Sequence, residues 1–567
     1  MTFQHRRAAA ARLIQPRSSL HGTYLPSVGL LWFGLLLAGP LPAPIHAKHI
    51  KQLQVEAISQ GRAPWGHWGP NPEKYTGWSS HSNRLAPVYT FGLSLESVAG
   101  ANSAYRDAQR IERLYGRLPE GTLNTAADYF DQTDVCRLQQ AAAAAGKKYI
   151  ILVIFDGMDW QTAWAAAIYN SGKVGYREGR GTGLHFLDYR GAATDFGFAV
   201  TSPHNDGTTG DVDTQTLVNP GGKTPGGYDA QLAGPNPWTP GSDPLYIIGQ
   251  SPARRSAVTD SAAAATSLCS GIKTYNDAVN FDPQGRQVVP IARQLQAKGY
   301  AVGVVTSVPI SHATPACAYA NNVWRDDYQD LARDLLGLPS IAHRQQPLPG
   351  VDVLLGAGWG GDINGDPKQG GNFVPGNKYV AAADVQRVDA AQGGRYRVVQ
   401  RTAGANGTDA LAAAADDAVH RGLRLCGLFG TKLGHLPFRT ADGKFDPATG
   451  VRRLNETYSP ADLAENPTLA DMTRAALKVL EQNRRGFWLM VEAGDVDWGN
   501  HDNNVDTSIG AVISGDSAFR AITEWADEHK CWDQTAVIVT ADHGHYLVLT
   551  QPEALLGPTD RVSEAAR

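Results

Sequence analysis

The sequence predicts an α/β protein: a three-layer α/β/α sandwich around a mostly parallel central sheet. First, the continuous apolar run Tyr149–Phe155 is typical of a strand buried on both faces. Second, further apolar runs of strand length alternate with helical segments, which favours parallel strands covered by helices on both faces. Third, acids and histidines follow these runs. Because ligands of such sheets gather at the carboxyl ends of the strands, we expect a metal site there.

The remaining elements are predicted from apolar periodicity and from glycine and proline stops. In chain order they are a helix over 291–298, a strand over 301–306, a helix over 326–336, a strand over 351–355, a helix over 467–483, a strand over 487–491, a helix over 507–529 and a strand over 535–540. The segments 191–251 and 360–376 are rich in Gly, Asn, Asp and Pro and are predicted to be loops.

Ahead of the first predicted core strand the sequence divides into two parts. Arginines, an apolar run over 28–38 and three prolines predict a signal peptide, residues 1–47, with cleavage after Ala47. The protein would then be exported, to the periplasm, the cell surface or the medium; an uncleaved membrane anchor is the alternative. The run is too short for a comfortable span, so we expect no transmembrane segment in the mature chain.

Residues 48–146 are irregular in pattern, with one amphipathic helix predicted over 97–118. We find no chemistry in this N-terminal extension and expect it to pack on the main domain, residues 147–567. Lys and Arg number 51 and Asp and Glu 55, without a basic block, so we expect no nucleic-acid-binding surface. The five dispersed cysteines predict neither a zinc knuckle nor a dense disulfide framework.

Ser261 stands behind Asp260 and ahead of four alanines, which places it in the first turn of a helix. The unpaired amides and the dipole at a helix N-terminus favour a phosphate group. Taken alone, the same pattern also fits an N-cap followed by a buried alanine-rich helix.

Two further motifs carry metal-binding residue types. Asp497 and His501 stand four residues apart, so both can share one face of a helical turn and bind zinc. Asp542 and His543 are adjacent after the last predicted strand, where Gly544 permits a turn. Each motif alone is also compatible with a polar loop.

Together these motifs resemble the alkaline phosphatases over roughly residues 147–545. The residues that carry the resemblance, in order and at matching local spacing, are Asp156, Asp260-Ser261-Ala262 with Thr266, His312-Ala-Thr314-Pro315 with Arg325, Glu492 with Asp497 and His501, and Thr540-Ala-Asp542-His543-Gly-His545. The agreement of five separate motifs makes the resemblance specific.

The resemblance implies three metal sites, two for zinc and one for magnesium. Carried over by position, the sets are Asp156, Asp542 and His543 for the zinc that holds the serine oxygen, Asp497 and His501 for the other zinc, and Asp156, Thr314 and Glu492 for magnesium. It further implies hydrolysis of small phosphate monoesters through a phosphoserine formed on Ser261. Arg325 would clamp the phosphate, and a homodimer is expected because relatives are often dimers.

The chain departs from the family pattern at three points. The family supplies a last zinc histidine from well beyond the Asp-His pair, but no histidine follows His545 here, and His545 is expected to support Asp497 instead. We therefore expect either a sequence cut short of its native C-terminus, which we favour, or an incomplete site. His312 stands where some members carry aspartate, which is expected to weaken magnesium binding or admit zinc at the third site. Trp498 stands where others carry Lys or His, and it is expected either to alter the wall of the site rather than the reaction or simply to pack beside the pocket.

Two other functions remain open from the sequence. A phosphodiesterase could use the same metals and serine, although an arginine that grips two non-bridging oxygens suits a monoester. A non-catalytic protein that binds metal or phosphate would explain the missing histidine.

Overall fold

The computed structural model describes residues 45–452 and 456–556, and within them ten strands form one large sheet. In chain order the strands are β1 (Ala86–Phe91), β2 (Phe130–Asp131), β3 (Tyr149–Phe155), β4 (Thr194–Val200), β5 (Ala301–Pro309), β6 (Val353–Ala357), β7 (Tyr396–Gln400), β8 (Arg424–Leu428), β9 (Phe487–Ala493) and β10 (Thr535–Thr540). Across the sheet their order is β7-β8-β6-β5-β9-β3-β10-β1-β4-β2.

The sheet is mostly parallel. All neighbours from β7 to β10 run parallel, whereas β1 is antiparallel to both β10 and β4. Parallel neighbours end at one common edge, so the residues that follow β3, β5, β9 and β10 meet there. The predicted α/β fold with a large central sheet is confirmed.

Helices cover both faces of this sheet. In chain order the α-helices of the described residues are α1 (Ile45–Gln60), α2 (Ala108–Tyr115), α3 (Thr133–Ala144), α4 (Trp160–Ser171), α5 (His185–Asp188), α6 (Ala230–Ala233), α7 (Ser261–Ser270), α8 (Ile291–Gln296), α9 (Ala313–Cys317), α10 (Tyr328–Leu336), α11 (Ala382–Val388), α12 (Gly407–Arg421), α13 (Pro460–Ala464), α14 (Leu469–Leu480), α15 (Asp495–His501) and α16 (Val505–Glu528).

Alternate side chains of the central strand β3 enter two different cores. Ile151, Val153 and Phe155 pack with helices α4, α12, α14 and α16, whereas Ile150 and Leu152 pack with α3, α7, α8 and α10. A strand buried on both faces must be apolar at every position, which is why Tyr149–Phe155 reads as one continuous apolar run.

The strand predictions at 149–155 and 535–540 match the structure, and the other strands and helices predicted from residue 291 onwards agree to within a few residues. The loop prediction for 191–251 is wrong at Thr194–Val200, which forms β4 near the edge of the sheet. Several residues of β4 remain partly exposed, so its sequence lacks the apolar run of a central strand. The helix predicted over 97–118 is shorter, Ala108–Tyr115, and ends at Gly116, whose φ of 67° stops the helix.

The N-terminal segment is built into the sheet. Residues 86–91 and 130–131 supply β1 and β2, and Gly66–Trp68 pairs with Leu547–Leu549. The strand that pairs with the outer edge of β10 is therefore β1, which precedes the core in sequence. The predicted signal, residues 1–47, lies outside the described residues except for its last three positions.

All five cysteines are buried and free, so they pack as small thiols. Among the described residues, no helix combines the length and the apolar character needed to cross a membrane.

Candidate metal centre

The predicted metal-binding residues converge at the carboxyl edge of the sheet. Asp156 follows β3, Glu492 lies near the end of β9, and Asp542 follows β10. Glu492 is opposite Ile154 of β3 and Thr306 of β5 in the strand register. Sheet topology alone thus brings acids from distant parts of the chain to one edge.

Asp156, Asp542 and His543 form the first cluster, with one ligand atom of each lying within 4.8 Å of the others. His543 Nε2 is 3.2 Å from Asp156 Oδ1 and 3.5 Å from Asp542 Oδ2. All three side chains are buried. Neither oxygen of Asp156 has a hydrogen-bond partner among the described residues, and neither does Asp542 Oδ2.

Ser261 adjoins this cluster at the start of α7, where its Oγ lies 3.3 Å from His543 Nε2. Asp260 is the N-cap, and its Oδ1 accepts a hydrogen bond from the Ala263 amide. The predicted helix start is confirmed, and the hydroxyl contacts the His543 imidazole.

Arg325 lies beside the same helix start. Its Nη1 donates to Asp260 Oδ2 at 2.8 Å, and its Nη2 lies 3.5 Å from His312 Nε2. Although burial opposes the charge, Asp260 raises the pKa of Arg325, which stays cationic. One carboxylate therefore both caps α7 and orients the guanidinium.

A second cluster contains Asp497, which approaches three histidines. His501 Nε2 lies 3.4 Å from Asp497 Oδ1, and His545 Nε2 lies 2.7 Å from the same oxygen. The third is His81, whose Nε2 is 3.5 Å from Asp497 Oδ1 and 3.0 Å from His501 Nε2. The ring of His81 also stacks on that of His543 at 3.9 Å, so the two clusters are contiguous.

Sequence reasoning missed His81, which lies in the N-terminal extension where we expected no chemistry. A usable signal was present: His81 shortly precedes Ala86–Phe91, a run rich in β-branched and aromatic residues that is typical of a strand. Because β1 is antiparallel to β10, the start of β1 lies at the carboxyl end of β10. Strand direction was not readable from the sequence.

Glu492 and Thr314, the residues assigned to a third site with Asp156, are both buried, and the charge of Glu492 contributes to raising the pKa of Asp156. Thr306 Oγ1 donates to Glu492 Oε2, while Glu492 Oε1 has no partner among the described residues. Neither Glu492 nor Thr314 belongs to the two clusters above.

Burial raises the pKa of Asp542 to about 7 and that of Glu492 to about 8, and it also raises the pKa of Asp156. Buried carboxylate oxygens without donors cost free energy unless a cation compensates them. Carboxylates with imidazoles are also a ligand set that zinc accepts. The residues of both clusters therefore fit bound metal ions.

The clusters open into a cavity of about 440 Å³, which Ser261, Arg325, His81 and His501 help to line. Part of the lining is aromatic: the rings of His435 and Phe438 stack in parallel at 4.2 Å, and Trp498 packs edge-on against both. Trp498 is therefore a residue of the cavity lining.

His312 lies between Trp498, 5.9 Å away between ring centroids, and Arg325. It belongs to neither metal cluster. Burial lowers the pKa of His312 to about 3, so the ring is neutral next to the guanidinium.

A sequence model of the family described as "Alkaline phosphatase" matches residues 241–560, more than half of the chain. Alkaline phosphatase 4 of Bacillus subtilis is 30% identical over 287 residues, which are 50% of this chain and 49% of that protein. Alkaline phosphatase H of Pseudomonas aeruginosa is 26% identical over 83% of this chain and 85% of its own length.

The chain spans about half the length of the first curated relatives that it matches. Among solved structures, the alkaline phosphatase of Thermus thermophilus aligns with a TM-score of 0.42 and 22% identity, over 70% of this chain and 60% of that one. The family match begins at residue 241, so β1, β3 and His81 lie outside it.

Proposed function

The chain belongs to the alkaline phosphatase family, and we propose that it hydrolyses phosphate monoesters by a metal-dependent route through a phosphoserine on Ser261. The observation that carries the proposal is that Ser261 Oγ lies 3.3 Å from His543 in a cavity that Arg325 also lines. A nucleophile, a metal-ligand set and a phosphate clamp thus converge on one space.

The two clusters would hold two zinc ions, and Asp156, Thr314 and Glu492 a magnesium ion. When bound, such ions lower the pKa of a hydroxyl or water and neutralise charge on entering and leaving oxygens. In the clusters the ligands are Asp156, Asp542 and His543 beside the serine, and Asp497 and His501 beside the leaving group. His545 holds Asp497 by its 2.7 Å hydrogen bond and so orients that ligand.

Arg325 binds the substrate first. Its planar guanidinium can donate to two non-bridging phosphate oxygens at once, and the Asp260 contact holds it in place for this. The free amides at the start of α7 face the same phosphate. Together they aim the phosphorus atom at Ser261 Oγ.

The Ser261 hydroxyl gives its proton to water, and its oxygen attacks phosphorus in line with the leaving oxygen. The bond from phosphorus to the alcohol oxygen breaks with its electron pair on that oxygen, which takes a proton from water, and the phosphoryl group stays on Ser261. A water molecule then attacks the phosphorus of the phosphoserine; the bond to Ser261 Oγ breaks, Oγ takes up a proton from that water, and inorganic phosphate is released.

The test is phosphate release from an aryl phosphate monoester at alkaline pH with added zinc and magnesium, alongside the corresponding diester. We expect monoester hydrolysis that falls by at least about 1,000-fold in Ser261→Ala. Ser270→Ala, at the far end of the same helix, is the control and should retain activity. Faster diester than monoester hydrolysis would favour a phosphodiesterase, and full metal occupancy without hydrolysis would favour a binding protein.

We also propose that the protein is exported, on the strength of the signal pattern over residues 1–47. A homodimer, expected from the family resemblance, is part of the same proposal. Fractionation of expressing cells tests export, and light scattering of the purified protein tests whether it is a dimer.

A further inference from the structure

We infer that His81 is the third protein ligand of the metal ion held by Asp497 and His501. The N-terminal segment would then supply the histidine that the family resemblance places beyond the Asp-His pair. The inference rests on the proposed metal binding of the second cluster, and it assigns a role to a segment that lies outside the family match.

Three donor atoms form a nearly equilateral triangle. Nε2 of His81 is 3.0 Å from Nε2 of His501 and 3.5 Å from Asp497 Oδ1. The third side, from Nε2 of His501 to Asp497 Oδ1, is 3.4 Å. A tetrahedral zinc ion with bonds of about 2.0–2.1 Å separates its ligand atoms by about 3.3–3.4 Å. The triangle therefore has the size of one face of a zinc coordination tetrahedron.

The opposite sides of both imidazoles are fixed by the backbone. His81 Nδ1 lies 3.0 Å from the Thr259 carbonyl oxygen, and His501 Nδ1 lies 2.7 Å from that of Ser79. Because a carbonyl oxygen only accepts, each Nδ1 carries a proton and donates it. This tautomer leaves the Nε2 lone pairs for a metal, and such backbone support is typical of metal-bound histidines.

These two Nε2 atoms, both lacking a proton in the neutral rings, face each other at 3.0 Å. Two lone pairs at that distance repel unless a cation lies between them. Either a metal ion or an extra proton on one ring can fill this role, and the experiment below separates the two.

The segment that carries His81 is anchored directly on the catalytic loops. Ser82 exchanges backbone hydrogen bonds with Gly544, and the Asn83 side chain bonds to the Ala257 carbonyl and the Thr259 amide. These loops carry His543 and Ser261, so the position of His81 is set by the same elements that set the nucleophile. A ligand held this way needs no ordering when metal binds.

Chain direction explains how an N-terminal residue reaches this position. β1 pairs antiparallel with β10, with Val88 opposite Thr540. The residues before β1 consequently lie beside those after β10, where the Asp542-His543 pair stands. His81 thereby gives the second cluster its third ligand.

The experiment is zinc binding to the metal-free protein, measured by competition with a chromophoric chelator. We expect His81→Gln to lower the affinity for one of the bound zinc ions by at least about 10- to 100-fold. Removing a residue that only hydrogen-bonds to a metal ligand already causes a loss of that size. His501→Gln should lower the affinity for the same zinc ion. His67→Gln is the matched control, because His67 is also on the N-terminal segment and also bonds through Nδ1 to a carbonyl.

A second variant separates a ligand from a purely structural residue. His81→Asp supplies a carboxylate that can bind zinc. We therefore expect the His81→Asp variant to bind zinc at the second cluster more tightly than the His81→Gln variant does. Circular dichroism establishes folding for each variant. Unchanged zinc affinity in His81→Gln, equal binding by the Asp and Gln variants, or no zinc uptake by the unmodified protein would each overturn the inference.

Phosphate release is measured on the same samples. Zinc uptake that depends on His81 in a protein without hydrolytic activity would refute the proposed function and leave the ligand assignment intact.

Discussion

Asp260 and Arg325 are joined by a 2.8 Å ion pair, while the other oxygen of Asp260 caps the helix that begins with Ser261. The position of the phosphate clamp and that of the nucleophile are thereby coupled through one carboxylate. Asp260 is the carboxylate in ion-pair contact with Arg325 among the described residues, and Asp277 adds a weaker charge interaction.

We expect Asp260→Ala to weaken inhibition by inorganic phosphate by about 10-fold or more, because the released guanidinium loses its orientation. The inhibition constant for phosphate measures this. The variant also loses an N-cap, which costs about 1 kcal/mol of stability. Asp107→Ala removes the cap of α2, away from the site, and should show the stability loss without the change in phosphate binding.

Arg325→Lys retains the charge but not the two parallel N–H donors. We expect kcat/KM for an aryl phosphate monoester to fall by about 10- to 100-fold, the worth of one hydrogen bond to a charged group. Steady-state kinetics on the monoester measure the effect, with Arg333→Lys in α10 as a control. An unchanged kcat/KM would contradict the assignment of Arg325 as a clamp on two oxygens.

The metal-free protein should lose stability as pH rises. Burial raises the pKa of Asp542 to about 7 and that of Glu492 to about 8, whereas in the unfolded chain such groups titrate near about 4. Between these values the folded state holds protons that the unfolded state has released, so the contribution of these two carboxyls to the free energy of unfolding falls from about pH 4 to about pH 8. The fall should be clearest above about pH 6.5, because below it the buried histidines with lowered pKa values contribute the opposite trend.

Bound metal reverses this trend, because it replaces the protons on the ligands. Melting curves of chelator-treated and metal-loaded protein at pH 5 to 8 should therefore diverge as pH rises. A gap between the two melting temperatures that narrows with rising pH would count against a metal centre built on these carboxylates.

Trp498→Ala should affect substrate binding more than chemistry. Trp498 packs against His435 and Phe438 and lines the same cavity as Ser261 and Arg325, so an aromatic leaving group in that cavity is expected to contact it. We expect KM for an aryl phosphate to rise about 3- to 10-fold, the effect of losing an aromatic contact, with little change for a small alkyl phosphate. Equal effects on both substrates would mean that Trp498 shapes the wall without contacting the leaving group.

Much of the fold was readable because local pattern and tertiary structure agree. Tyr149–Phe155 and Thr535–Thr540 are buried on both faces, and this demands uninterrupted apolar runs. β4 was missed because it lies near the sheet edge, where partly exposed positions obscure the pattern. The helix start at Ser261 was predicted because its cap and its small residues are local signals.

The sequence by itself determined the residue types of the site and their local placement: Asp542-His543 after a buried strand, Asp497 and His501 one helical turn apart, and Ser261 behind an N-cap. Only the tertiary structure decided that His81 joins them. Its proximity depends on the antiparallel pairing of β1 with β10 across more than 400 residues, and strand direction leaves no trace in local composition. Spacing along the chain reports contacts within one element, whereas contacts between elements arise from how the sheet is assembled.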